Sequence, residues 1–146
     1  MRKAYSVITI LLLISVVVQF YFAAMGIFGP EDGELFAFHS INGQIVLPAL
    51  SLLAVIFAVL SRAGARTALL SALPILLVVV QILLFILAGA VTGATPEEPN
   101  VGSGIILGLH AVNGLAILWV CIVLVRRARV LDRSNATTPE VETVSR

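Results

Sequence analysis

Two six-residue stretches decide how this chain folds: Phe38-His39-Ser40-Ile41-Asn42-Gly43 and Leu109-His110-Ala111-Val112-Asn113-Gly114. Both read as an apolar residue, His, any residue, Ile or Val, Asn and Gly. The chain has only two histidines, and they occupy equivalent places in the two stretches. A second pair of matching stretches precedes them: Val16-Val17-Val18-Gln19 and Val78-Val79-Val80-Gln81. We therefore interpret the chain as a duplicated unit.

Each of the four matching stretches lies in or beside a long apolar segment. The segments cover about residues 4–28, 35–60, 67–91 and 105–125, and each meets the roughly 20 residues that an α-helix needs to cross a bilayer. With 60% hydrophobic and 12% charged residues, the chain is too apolar for a water-soluble globule. The sequence predicts an all-α fold: a four-transmembrane-helix bundle over residues 1–129, built from a duplicated two-helix hairpin.

The charges predict how the bundle is oriented. All Lys and Arg flank the apolar segments on one side: Arg2, Lys3, Arg62, Arg66, Arg126, Arg127, Arg129, Arg133 and Arg146. The loops on the other side carry only acidic residues: Glu31, Asp32, Glu34, Glu97 and Glu98. Because positive loops stay cytoplasmic, we expect both termini in the cytoplasm and a plasma (inner) membrane location. Residues 130–146 read as a disordered cytoplasmic tail.

Several functional classes find no support in the sequence. The net charge is near +1, so there is no broad positive field to attract nucleic acid. A single cysteine, Cys121, excludes an intrachain disulfide and a CxxC motif. Neither a nucleophile elbow, a P-loop nor a zinc-protease motif is present. Whether the protein is an enzyme stays open, and its expected partner is the lipid bilayer.

The repeat predicts a polar site inside the bundle. Two hairpins with an even number of spans insert the same way up, related by a pseudo-twofold axis along the membrane normal. This symmetry places the second and fourth helices diagonally across the bundle. Each carries its polar residues at i, i+3 and i+4, on one helical face. We expect a site near the outer face made of His39, Asn42, Gly43, His110, Asn113 and Gly114, with Gln19 and Gln81 slightly deeper.

Paired histidines on facing helices suggest a cofactor. Two imidazoles that face each other across a bundle can ligate the iron of a b-type haem from both sides. Gly43 and Gly114 have no side chains, so we expect them to leave space for the flat macrocycle. The sequence-based hypothesis is one haem b near the outer face, used for electron exchange or haem handling.

Other uses of the same residues remain open. The His, Asn and Gln side chains can simply join helices, in a non-enzymatic membrane subunit or assembly factor. A divalent metal could be held by both histidines with Glu34 or Glu31, because imidazole and carboxylate suit zinc. A quinone head group is a further candidate and could coexist with haem, and another membrane protein could be the partner.

Over about residues 5–129 the chain resembles a family of small uncharacterised four-helix membrane proteins, through Val17-Val18-Gln19-Phe20, His39 and His110. That resemblance implies a fold and no activity. The layout is also similar to half of a haem A synthase and to four-helix b-type cytochromes, which implies haem ligation by the two histidines. Phe36 stands where the synthase motif has a glutamate, so haem modification is not implied.

Overall fold

The computed structural model describes residues 1–30, 33–95 and 98–136, and every regular element in these ranges is a helix. There are four long helices: α1 (Arg2–Phe28), α2 (Phe36–Leu60), α3 (Ala65–Thr92) and α4 (Val101–Ala136). All four are long and apolar enough to cross a membrane. The prediction of an all-α fold with four helices of membrane-spanning length is confirmed, and the predicted starts of these helices lie within a few residues of the observed ones.

The four helices form a bundle in which each one packs against the next and α4 returns to α1. In this order α2 and α4 lie on one diagonal, as the repeat predicts, and α1 and α3 lie on the other. A buried apolar cluster occupies the centre: Leu12, Val16, Leu47, Ala54, Val78, Ile117 and Cys121. The α1–α3 diagonal is bridged by a buried hydrogen bond of 2.8 Å between the hydroxyls of Tyr5 and Ser71.

One turn of α2 departs from α-helical geometry. Residues 42–46 are π-helical, and the N–H of Leu47 donates to the carbonyl of Asn42, five residues back. Pro48 follows directly and has no N–H for the carbonyl of Gln44, so the normal α-helical bonding cannot continue there. The matching turn of α4, at Asn113, has no proline after it and is α-helical. The wider turn therefore distinguishes α2 from α4 at the polar site.

The carboxyl end of α4 corrects one expectation. Residues 130–136, which we expected in a disordered tail, are helical, while residues 137–146 lie outside the described ranges. Arg, Ala and Leu favour helix, and no Pro or Gly interrupts the chain after Arg126 until Pro139. The guanidinium of Arg2 also donates to the carbonyl of Leu131 at 3.4 Å, which joins the extended helix to α1.

The two ends of the bundle differ in charge. One end, the basic end, carries the start of α1, the α2–α3 loop and the positive residues of α4, among them Arg126 and Arg127. At the opposite end Glu34 and Glu98 are exposed. The other charged residues used for orientation, Glu31, Asp32, Glu97 and Arg146, lie outside the described residues. The orientation in the membrane stays a prediction.

Cysteine labelling tests that orientation. Cys121 is fully buried, so the parent protein should not react with an impermeant maleimide on intact cells. We expect a Glu98→Cys variant to be labelled from outside, because its loop lacks positive charge. An Ala65→Cys variant, in the basic end, should react only after the cells are permeabilised. The opposite labelling pattern would overturn the cytoplasmic placement of both termini.

Candidate functional site

The two histidines face each other across the α2–α4 diagonal. His39 lies in the first turn of α2 and His110 about two and a half turns into α4. Their ring centroids are 6.0 Å apart, with an angle of 49° between the ring planes. Both side chains are half-buried. The fold thus brings together two titratable side chains that are 71 residues apart in the sequence.

Amide groups fix α1 against α2 beside His39. The Gln19 side-chain nitrogen donates to the His39 carbonyl at 2.9 Å. Asn42 donates to the Gln19 side-chain oxygen at 2.6 Å and to the Ser15 carbonyl at 3.0 Å. The Ser15 hydroxyl donates back to the Asn42 side-chain oxygen at 2.8 Å. Because both ends of the Gln19 and Asn42 amides are bonded, these polar groups are satisfied without water.

A matching set of bonds fixes α3 against α4. Gln81 donates to the His110 carbonyl at 2.9 Å. Asn113 donates to the Leu77 carbonyl at 2.8 Å and also to the Gln81 side-chain oxygen. Three hydrogen bonds of the first hairpin have the same donor and acceptor groups at the corresponding positions. The hydroxyl bond is missing because Leu77 stands where the first hairpin has a serine. We call each set an amide clamp.

The ring nitrogens of the two histidines are held differently. His39 donates from Nδ1 to the backbone carbonyl of Gln19 at 3.1 Å, so its Nε2 carries a lone pair. The Nδ1 atom of His110 instead contacts the side-chain nitrogen of Gln81. That nitrogen can only donate. A flip that exchanged the nitrogen and oxygen of the Gln81 amide would place two acceptor oxygens, those of Gln81 and of the His110 carbonyl, against each other. His110 Nδ1 is therefore an acceptor here and Nε2 carries the proton.

Aromatic rings stand beside both imidazoles. Phe36 contacts His39 edge-on, with centroids 5.6 Å apart, and Phe85 contacts His110 in the same manner at 5.0 Å. The sequence motifs did not predict these rings as part of the site. The only signals were spacings: Phe36 precedes His39 by three residues, and Phe85 follows Gln81 by four, which places each pair on one helical face.

The two glycines correct a second expectation. A Cβ on Gly43 would lie 2.7 Å from the side-chain nitrogen of Gln19, and one on Gly114 would lie 3.3 Å from the ring of Phe20. The space beside both glycines is thus occupied by side chains of α1 and is not open to a macrocycle. Gln19 must cross the backbone at Gly43 to reach the His39 carbonyl, which explains why a side chain is absent there.

In the ranges that the structure describes, no acidic residue completes a metal site with the histidines. Among the residues that the structure describes, no group of three or more His, Cys, Asp and Glu side chains could hold a metal ion. Glu34 is exposed, and Glu31 lies outside the described residues. The divalent-metal alternative thus has no third protein ligand in this part of the chain.

Comparison with known proteins adds a family similarity and no activity. No curated protein and no solved structure matches the chain. The similarities in layout to haem A synthases and b-type cytochromes are therefore not supported by these comparisons. A family match does exist for the segment that holds Gln19, His39 and Gln81 and ends before His110. Over residues 19–90 the chain is similar to a family of unknown function (DUF6220).

Proposed function

We propose that His39 and His110 together bind one b-type haem between α2 and α4, for electron exchange or haem handling. The observation that carries this proposal is the 6.0 Å separation of the imidazole centroids. With iron–nitrogen distances of about 2 Å, as in zinc–imidazole bonds, and about 1 Å from each nitrogen to its ring centre, two axial imidazoles lie about 6 Å apart. The spacing of the histidine pair fits an iron ion between them.

The hydrogen bonds make His39 the better prepared ligand. A metal-binding histidine generally donates its other ring N–H to a carbonyl or carboxylate, which fixes the orientation of the ring. His39 already does this through the Gln19 carbonyl and offers its Nε2 lone pair. His110 becomes a ligand when its proton moves to Nδ1, which requires Gln81 to give up its contact with that atom. Haem binding is thus coupled to a rearrangement of one amide.

Two phenylalanine rings beside the histidine pair determine where a haem macrocycle can lie. Phe36 and Phe85 are partly exposed, at 40% and 52%, and supply apolar surface beside the imidazoles. This apolar surface can cover a haem macrocycle. The space beside Gly43 and Gly114 cannot accept one, because side chains of α1 fill it. Bound haem would supply one-electron chemistry, and the chain has no second histidine pair. We therefore propose that the haem exchanges electrons at the end of the bundle opposite the basic end. The partner would be a quinone or another membrane protein.

The amide clamps support the proposal that the two hairpins are duplicates. Three hydrogen bonds with the same donors and acceptors occur at corresponding positions of both. They also favour a second function, in which the His, Asn and Gln residues only join helices within a membrane subunit or assembly factor. In that function the backbone carbonyls and the Nδ1 atoms of both histidines serve only as hydrogen-bonding groups between helices, and no cofactor is bound.

The visible spectrum of the purified protein separates the two functions. After expression with ample haem, we expect a Soret band, sharp low-spin bands and about one haem per chain, because two nitrogen ligands hold the iron. The matched control is the double variant His39→Ala/His110→Ala, prepared in the same way. A wild-type protein that is folded but shows no Soret band would rule out the haem function and leave the helix-joining one.

A further inference from the structure

A groove of about 330 Å³ lies between α3 and α4 at the basic end of the bundle. We call it the arginine groove, and it is lined by Thr67, Arg126, Arg127, Val130 and Leu131. It is remote from the histidines, which lie toward the opposite end. Most of its lining is apolar, yet two consecutive arginines of α4 border it. This combination matches a ligand that has an anionic head and an apolar body.

The arginines are available for such a ligand. The guanidinium of Arg127 donates to the Thr67 hydroxyl at 3.4 Å, which holds it beside α3 at the groove. Arg126 is exposed, and in the described part of the chain neither arginine forms an ion pair with a carboxylate. An arginine fork binds phosphate oxygens in two parallel hydrogen bonds, so the Arg127 guanidinium beside Thr67 is suited to a phosphate, and Arg126 adds positive charge at the border of the groove.

The position of the groove decides the source of the phosphate. The apolar run of α4 ends at Val125, so Arg126 and Arg127 lie where the hydrocarbon region gives way to lipid headgroups. Basic pockets between membrane helices at this level bind anionic headgroups. Val130, which is 68% exposed, extends the apolar lining. We propose that the arginine groove binds the phosphodiester headgroup of an anionic phospholipid, whose acyl chains lie along α3 and α4.

Native mass spectrometry of the full-length protein in detergent tests this proposal. We expect a one-to-one adduct with phosphatidylglycerol that survives detergent removal, and about tenfold less retention of phosphatidylcholine. The double variant Arg126→Gln/Arg127→Gln should lose about tenfold or more in retention of phosphatidylglycerol, because it removes the two guanidinium groups that border the groove and would bind the headgroup there. Thr67→Val keeps both charges and removes only the hydroxyl that holds Arg127. This variant should therefore lose less phosphatidylglycerol than the double variant does.

The control variant is Arg129→Gln/Arg133→Gln, which removes the same charge from α4 outside the groove. It should retain phosphatidylglycerol as the parent does. Equal losses in both double variants would show that a diffuse positive field, and not the groove, attracts the lipid, and would overturn the proposal. Equal retention of phosphatidylcholine would do the same. Inorganic phosphate is the third arm: if it displaces the lipid at similar concentration, the groove is a site for free phosphate.

Discussion

Replacement of either His39 or His110 with alanine should remove the low-spin haem spectrum almost completely. In the proposed site each imidazole would hold one face of the same iron, so the loss of one would leave a five-coordinate, high-spin haem or an empty site. The double variant should be no worse than the single ones, because the two ligands act as one unit. Absorbance spectra of the purified variants, normalised to protein, measure this effect.

The control is Val112→Ala, which changes a 61% exposed side chain two residues from His110 and should leave the spectrum unchanged. Gln81→Leu gives a second check, since it removes the group that keeps the proton on His110 Nε2. That variant should still bind haem, because the proposed ligand is the His110 imidazole and not the Gln81 amide. If both single alanine variants keep the wild-type spectrum, the haem proposal fails and the helix-joining function replaces it.

Replacement of Asn42 with alanine should destabilise the bundle by about 2 kcal/mol, against about 1 kcal/mol for Asn113→Ala. Hydrogen bonds between membrane helices contribute about 0.6 kcal/mol each on average. The Asn42 side chain forms three such bonds and is only 6% exposed, whereas the Asn113 side chain forms two and is half-buried. Reversible unfolding in mixed detergent, followed by helical circular dichroism, measures the difference.

Ser15→Ala provides the matched control for this comparison. It deletes the hydroxyl bond of the first amide clamp and leaves an apolar side chain there, as Leu77 does in the second. The free energy of unfolding should therefore fall by about 0.6 kcal/mol. Combined with Asn42→Ala it should add little, because the two side chains share that bond. A larger cost for Asn113→Ala than for Asn42→Ala would contradict the link between bond number and stability.

Local sequence patterns were enough to predict four apolar helices of membrane-spanning length and the corresponding positions of the Gln and Asn side chains in the two hairpins. Hydropathy depends on composition over about 20 residues, and a bilayer accepts little besides a helix for such a segment. The need of each Gln and Asn for a polar partner also follows from sequence, because an amide inside a membrane must find another polar group. The diagonal placement of α2 and α4 agrees with the prediction from the repeat.

Other features of the site depend on how the helices are rotated and how closely they approach. A helical wheel assigns Gly43 to the inner face, but only the packed bundle shows that Gln19 fills the space beside it. The proton positions on His39 and His110 depend on whether a carbonyl or an amide nitrogen meets each ring. Such contacts join segments that are distant in sequence, and small shifts between helices decide them. Hydropathy and helical period identify a face of a helix, whereas tertiary packing selects the atoms that meet on it.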